Sequence, residues 1–279
     1  MKYLVGILSL SVLVLGLIAL GSPTASAGTL FIGTDTEEFE NLPTGYLFKA
    51  TVDGPNFISE ISIPLNFPLN GLGDGPGFLY AGDPDSNTLR TIDYDGNLLT
   101  TTPAGFPSSC CNEEMQFYGG ELYHAHWDDN IQKIDPVTGA VLTTYDQPQV
   151  VGMAQAGTDL WITHWSTNEV GIWDPGTNTF TSVFTTPDLA GALAFDPSSN
   201  ILWVGQLGGM VIPYDLSGTQ LGPGFNALAA LPAGVFLDTV DGLTFQGESS
   251  QPTVPEPASL LLLSTGLGML GLAAWRKRK

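Results

Sequence analysis

The sequence predicts an all-β chain built as a β-propeller of five four-stranded blades, with six as the alternative count. An N-terminal signal peptide and a C-terminal transmembrane helix would flank it. Three observations carry this reading. A landmark of a large apolar or aromatic residue, Asp and a turn recurs about every forty residues. A column of aromatic residues recurs with it, and the two ends of the chain are composed differently from everything between them.

The charges mark that division. The chain has 279 residues with 8 Lys+Arg against 28 Asp+Glu, and Lys2, Arg276, Lys277, Arg278 and Lys279 sit at the extreme ends. Between Gly28 and Val254 only Lys49, Arg90 and Lys133 face 27 acids, a net charge of −24. Neutralising nucleic-acid phosphates needs Lys and Arg, so nucleic acid is excluded as a partner. Adhesion to anionic polymers would need a bridging divalent cation. An apolar content of 43% is ample for a core and excludes a disordered acidic tail.

At the N-terminus, Lys2 precedes the apolar run Leu4–Leu20. Pro23, Ala25, Ser26 and Ala27 then supply small residues for a cleavage site. Residues 1–27 therefore read as a signal peptide, with Gly28 as the mature terminus. At the other end, Ala258–Trp275 is an apolar stretch of 18 residues, just long enough to span a bilayer, and Arg276–Lys279 would stay cytoplasmic.

The propeller expectation covers 28–246. Its five landmark aspartates, Asp53, Asp93, Asp135, Asp174 and Asp215, are separated by 40, 42, 39 and 41 residues. Such regularity marks an array of equal units. Each Asp is expected to accept hydrogen bonds from backbone N–H groups of the turn it opens. The second column aligns five strands that begin at Leu30, Leu79, Leu122, Leu160 and Leu202. Their second residue is always aromatic (Phe31, Tyr80, Tyr123, Trp161, Trp203) and their fourth always small (Gly33, Gly82, Ala125, Thr163, Gly205). Both faces are mostly apolar, as a sheet sandwiched between two neighbours requires. Inner strands are expected at Met115–Tyr118, Gly152–Ala156, Gly191–Phe195 and Asp241–Phe245. The last of these has no aromatic strand after it, so it is expected to pair with Leu30–Thr34 and close the ring. Gly71–Gly77 reads as a turn-rich loop, Gly222–Ala233 as a loop or irregular outer strand, and 247–253 as a polar linker.

The tail 254–279 opens with Val254-Pro255-Glu256-Pro257 ahead of the apolar stretch and basic terminus. It resembles the PEP-CTERM sorting tail. That resemblance implies export, transient anchoring in the inner membrane, processing by an exosortase near Pro255–Pro257, and release to the cell surface or matrix of a biofilm-forming bacterium. A permanent C-terminal anchor is the other reading of the same helix. The unit Leu160–Val183 resembles a repeat of the NHL and virginiamycin B lyase propellers, families that usually carry six or seven blades. Lyases of that type use His and acidic residues with Mg²⁺. Their catalytic motif has no residue-by-residue match here, so no role is transferred.

Candidate chemistry gathers at the ends of the aligned strands. His126 and His164 share the fifth position with Thr34, Asp83 and Gln206, and His124 occupies the third. His-x-His on a strand places both imidazoles on one face, a spacing used by metal sites. His126, His164 and Asp83 could bind a first-row transition metal or supply a general base. Asp83, Asp85 and Asn87 have the spacing of oxygen ligands in a Ca²⁺ loop, without the Gly and distant Glu of an EF-hand. No cofactor is demanded outright. Cys110 and Cys111 are the only cysteines; in an exported protein they would form a vicinal disulfide, or else stay free or bridge two chains. The fold is compatible with two functions. One is a non-catalytic, monomeric surface propeller that binds an extracellular polysaccharide or a surface protein. The other is a secreted metal-dependent lyase or hydrolase.

Overall fold

A computed structural model of the chain describes residues 27–33, 45–67, 69–83, 87–106, 112–127, 130–230 and 240–248. Residues 1–26 of the expected signal peptide, Cys110, Cys111, Asp85, the Asp83 side chain and the tail with Val254–Pro257 lie outside the described residues.

Among the described residues, twenty strands form five four-stranded antiparallel sheets. The first blade joins the two ends of the fold. Strand β20 (Gly242–Phe245) pairs with β1 (Gly28–Gly33), which continues into β2 (Tyr46–Asp53) and β3 (Asn56–Pro64). The second blade holds β4 (Leu72–Gly75), β5 (Phe78–Asp83), β6 (Thr88–Ile92) and β7 (Leu98–Pro103). In the third are β8 (Asn112–Tyr118), β9 (Glu121–His126), β10 (Ile131–Ile134) and β11 (Val141–Tyr145). The fourth consists of β12 (Val150–Ala156), β13 (Asp159–His164), β14 (Glu169–Asp174) and β15 (Thr179–Thr185). The fifth has β16 (Ala190–Asp196), β17 (Ile201–Gln206), β18 (Met210–Tyr214) and the two-residue outer strand β19 (Phe225–Asn226). The ring is a five-bladed propeller closed by its C-terminal strand, and the six-blade count is set aside.

The sequence pattern explains the packing. Phe31, Tyr80, Tyr123, Trp161 and Trp203 are all buried. Five apolar clusters fill the five blade interfaces. Phe31 packs with Leu79 between the first and second blades, and Tyr80 with Leu122 between the second and third. Tyr123 packs with Trp173 between the third and fourth, Trp161 with Phe195 between the fourth and fifth, and Trp203 with Phe48 between the fifth and first. Complete burial of each such side chain is worth roughly 1.5–3 kcal/mol, so the aromatic column holds blade to blade around the ring.

Four of the five landmark aspartates make the expected turns between third and fourth strands; at Asp53 the turn is held instead by its backbone carbonyl, which accepts from Asn56 Nδ2 at 3.2 Å. Asp93 Oδ1 accepts from the N–H groups of Asp95 and Asn97 at 3.0 and 2.8 Å, and Asp135 Oδ1 from Val137 and Thr138 at 2.8 and 3.0 Å. Asp174 Oδ1 accepts from Gly176 at 2.8 Å, and Asp215 Oδ1 from Ser217 and Thr219 at 2.9 and 2.8 Å. Side-chain donors of the same turns (Asn97 to Asp93, Thr177 to Asp174, Ser217 to Asp215), together with these backbone bonds, hold the four carboxyls below the usual aspartate range; at Asp135 the backbone bonds lead.

One segment corrects the sequence reading. Leu72–Gly75, expected within a turn-rich loop, is the inner strand of the second blade. Glycine is poor strand material, but the ring is crowded near its axis. A Cβ on Gly73 would lie 2.2 Å from the Met115 carbonyl oxygen of the next blade. The close approach of two backbones therefore selects glycine where propensity argues against a strand.

Candidate functional site

Buried polar groups outside the turns gather chiefly at two places: one rim of the ring and its axis. The rim is where the second strand of each blade ends and the inner strand begins.

At the rim, β9 carries His124 and His126, and both are buried. They face the interface of the second and third blades, where Phe106 stacks on the His124 ring at 4.4 Å between centroids. The two imidazoles stand 6.2 Å apart, edge to face. Burial, and secondarily the neighbouring His126, depress the His124 pKa to about 3, against a weaker opposing pull from Gln132. His124 is therefore a neutral imidazole at any ordinary pH, and neither of its ring nitrogens has a geometric hydrogen bond within the described residues. His164, at the end of β13, is half-buried. Its Nδ1 lies 3.2 Å from the Pro148 carbonyl oxygen, and its ring meets Phe180 edge-on at 4.6 Å. Burial lowers its pKa too.

The column alignment thus holds, but equal positions in adjacent blades belong to successive interfaces. His126 faces the second blade, whereas β13 turns that same face toward Tyr123 and Ala125 of the third. Among the described residues no three metal-ligating side chains converge. Asn87, with φ +47°, closes a loop whose other two candidate Ca²⁺ ligands are outside the description.

The axis holds what the sequence reading passed over. Glu114 on β8 is fully buried, and its Oε2 accepts the N–H groups of Met153 at 2.8 Å and Leu193 at 2.7 Å, while Oε1 accepts that of Leu243 at 3.0 Å. Glu248 is fully buried as well. Its Oε1 accepts from Gln155 at 2.7 Å, and its Oε2 from Phe195 at 3.1 Å and Phe245 at 3.2 Å. These donors lie on β12, β16 and β20, the innermost strands of three blades. Inner strands turn an unpaired edge to the axis, and the two carboxylates satisfy those edges. Burial pushes both carboxyls well above the usual glutamate range, partly offset by the three N–H bonds on each. A third buried acid, Asp74 on β4, accepts the Tyr94 hydroxyl at 3.0 Å.

A signal for Glu114 did exist. Strand registers align it with Gly152, Ala192 and Gly242. One carboxylate in a column of small residues is the mark of an axial plug. Glu248 had no such signal, being assigned to a polar linker. The neighbours Trp127 and Trp165, one residue past His126 and His164, were also not singled out; their indoles meet at the rim 5.7 Å apart.

Comparison with known proteins adds one sequence match and a fold. No curated protein matches the chain. A chain of a nidogen/laminin complex is similar in structure, with a TM-score of 0.53 at 13% identity, covering 79% of this chain and 98% of that one. A glutaminyl cyclase of Myxococcus xanthus aligns with a TM-score of 0.44 at 15% identity over 58% of this chain and 79% of its own. The computationally designed Ika4 protein aligns at 0.39 and 18%, over 53% and 91%. At these identities the likeness concerns fold alone. Residues 253–279 match the PEP-CTERM protein-sorting motif, which marks an exported protein processed by an exosortase and sorted through the membrane to the cell surface or extracellular space.

Proposed function

We propose that the mature protein is a non-catalytic, monomeric propeller of the cell surface or extracellular matrix that binds a polysaccharide or a surface protein through its histidine-bearing rim. A signal peptide at 1–27 would export it. The apolar stretch 258–275 would hold it in the inner membrane until the exosortase acts; among the described residues no helix is long and apolar enough to cross a membrane. The observation that carries the binding role is the state of the axis. Glu114 and Glu248, the buried acids best placed for chemistry, each already hold three backbone N–H groups. They are committed to holding blades together, which leaves the rim for partners.

The test has two parts. Replacing Pro255, Glu256 and Pro257 by Ala is expected to trap the protein in the membrane fraction of the producing cells. The processed wild-type protein, purified from the extracellular fraction, is expected to co-sediment with those cells. Wild-type protein that stays soluble beside them refutes the reading.

The metal-dependent lyase or hydrolase keeps one support: His124, buried beside His126 with its ring nitrogens unengaged by hydrogen bonds of ordinary geometry. Elemental analysis of the secreted protein decides it. One equivalent of zinc, manganese or iron that disappears in His126→Ala favours the enzyme. Calcium alone, or no metal, leaves the histidines structural.

A further inference from the structure

We propose that Trp127 and Trp165 form a stacking platform for a neutral polysaccharide, the binding site through which the rim meets the matrix. This rests on the surface-binding function proposed above and names its site and ligand chemistry.

Of the tryptophans in the blades, Trp161, Trp173 and Trp203 are core residues. Trp127 and Trp165 are different. Each is the first residue beyond an aligned strand, in adjacent blades, and their rings stand 5.7 Å apart with planes tilted by 58°. Trp127 is 36% exposed. The same position in the fifth blade is Leu207, 38% exposed, so an apolar arc runs across three consecutive blades. The arc is firmly mounted. The Trp165 N–H donates to the Gln149 carbonyl at 2.9 Å, and the Leu207 N–H makes the equivalent bond to Leu189 at 3.0 Å. The blade interfaces are filled by other residues, and an indole left at the surface in an exported protein is a contact group.

The surroundings select the partner. Hydrogen-bonding groups follow each indole within a few residues of chain: Asn130, whose Oδ1 accepts the Gln147 N–H at 3.1 Å, and Thr167, whose hydroxyl donates to Glu169 at 2.9 Å. A pyranose ring presents an apolar C–H face to an aromatic ring and its hydroxyls to such a margin. Two partly exposed indoles offer less than the roughly 150–250 Å² that each aromatic side chain buries in full, well short of the roughly 800 Å² per partner that a stable protein interface buries. The charge narrows the choice again. With 27 acids against three cations between Gly28 and Val254, a polyuronate or sulfated glycan would be repelled. Neutral hexose polymers meet no such penalty.

The experiment is native electrophoresis of the secreted, processed protein in gels cast with hydroxyethyl cellulose, galactomannan, dextran or alginate. At least one neutral polymer is expected to retard the wild type, and alginate is not. Trp127→Ala alone, and with Trp165→Ala, should weaken that retardation about tenfold or more. Trp127→Phe should keep part of it, and melting curves establish that each variant is folded. The platform is overturned if no neutral polymer retards the wild type, if alginate alone does, or if folded Trp127→Ala is retarded like the wild type. Co-sedimentation with periodate-treated cells separates the two levels. Protein that binds those cells but no neutral polymer overturns the platform and leaves a protein partner; protein that binds neither overturns both.

Discussion

Glu114 and Glu248 bind the same three strands one rung apart: Glu114 takes the N–H groups of Met153, Leu193 and Leu243, and Glu248 those of Gln155, Phe195 and Phe245. Each donor of the second set lies two residues beyond its counterpart on β12, β16 or β20. The two carboxylates therefore lace three blades at two depths. Hydrogen bonds of this kind, made to a group that lies out of water, cost most when broken from one side.

Replacing either glutamate by Gln is expected to destabilise the ring. An amide would swap one acceptor oxygen for an NH₂ facing a backbone N–H, leaving a buried donor without an acceptor. The expected cost is about 1–3 kcal/mol, a fall in Tm of roughly 2–12 °C for a domain of this size. Thermal unfolding followed by circular dichroism measures it. Unchanged melting in both variants would show that the axis contributes nothing.

Gly73→Ala should destabilise through sterics alone. Its Cβ would meet the Met115 carbonyl oxygen at 2.2 Å, so one of two inner strands must shift. Overpacking of this sort costs about 1–3 kcal/mol. A lowered denaturant midpoint with an unchanged slope is the expected result.

Glu60 on β3 gives a pH dependence. Burial pushes its carboxyl up to about 8, and its Oε1 has no hydrogen bond within the described residues. The folded state thus holds a proton that the unfolded chain, with an ordinary glutamate pKa near 4.5, has released. Its stabilising contribution is complete below pH 4.5 and is lost as pH rises through about 8. Glu60→Gln should therefore melt above the wild type at pH 9 and lose that advantage at pH 4. Parallel Tm–pH curves would contradict this assignment.

His124 acts in the opposite sense. Its pKa falls from 6.5 to about 3 on folding, so the unfolded chain binds the extra proton. Stability from the neutral ring is present above pH 6.5 and is lost as pH drops toward 3. His124→Leu, which removes the titration and keeps an apolar partner for Phe106, should flatten the acid limb of the stability curve. Urea titrations at pH 4, 5.5 and 7 test it.

Much of the architecture was legible because each blade repeats the same physical problem. A sheet between two sheets needs large apolar groups on both faces, and a tight hairpin needs Asp to bind its N–H groups. Those demands wrote Phe31 through Trp203 and Asp93 through Asp215 into the chain at even spacing. The axis obeys a different rule. There, close backbone approach selected Gly73 and made a strand read as a loop. Glu248 resembled a linker residue because what it binds is backbone, which leaves no side-chain pattern in the sequence. The histidines were found at their strand positions, but a one-dimensional column does not say that neighbouring blades put it into separate interfaces.

The position of Glu248 also has a mechanical consequence. The sorting motif begins at residue 253, five residues further on, a reach of at most about 17 Å. Gly28 and Phe245 lie side by side at the end of the ring opposite Trp127, since β1 and β20 run antiparallel there. Glu248, the last described residue, therefore fixes the chain at the hub, on the side away from the aromatic rim. Tension arriving from beyond Glu248 would be shared among three blades through one carboxylate before it could peel β20 from β1. The seam that closes the ring is thereby shielded from the pull.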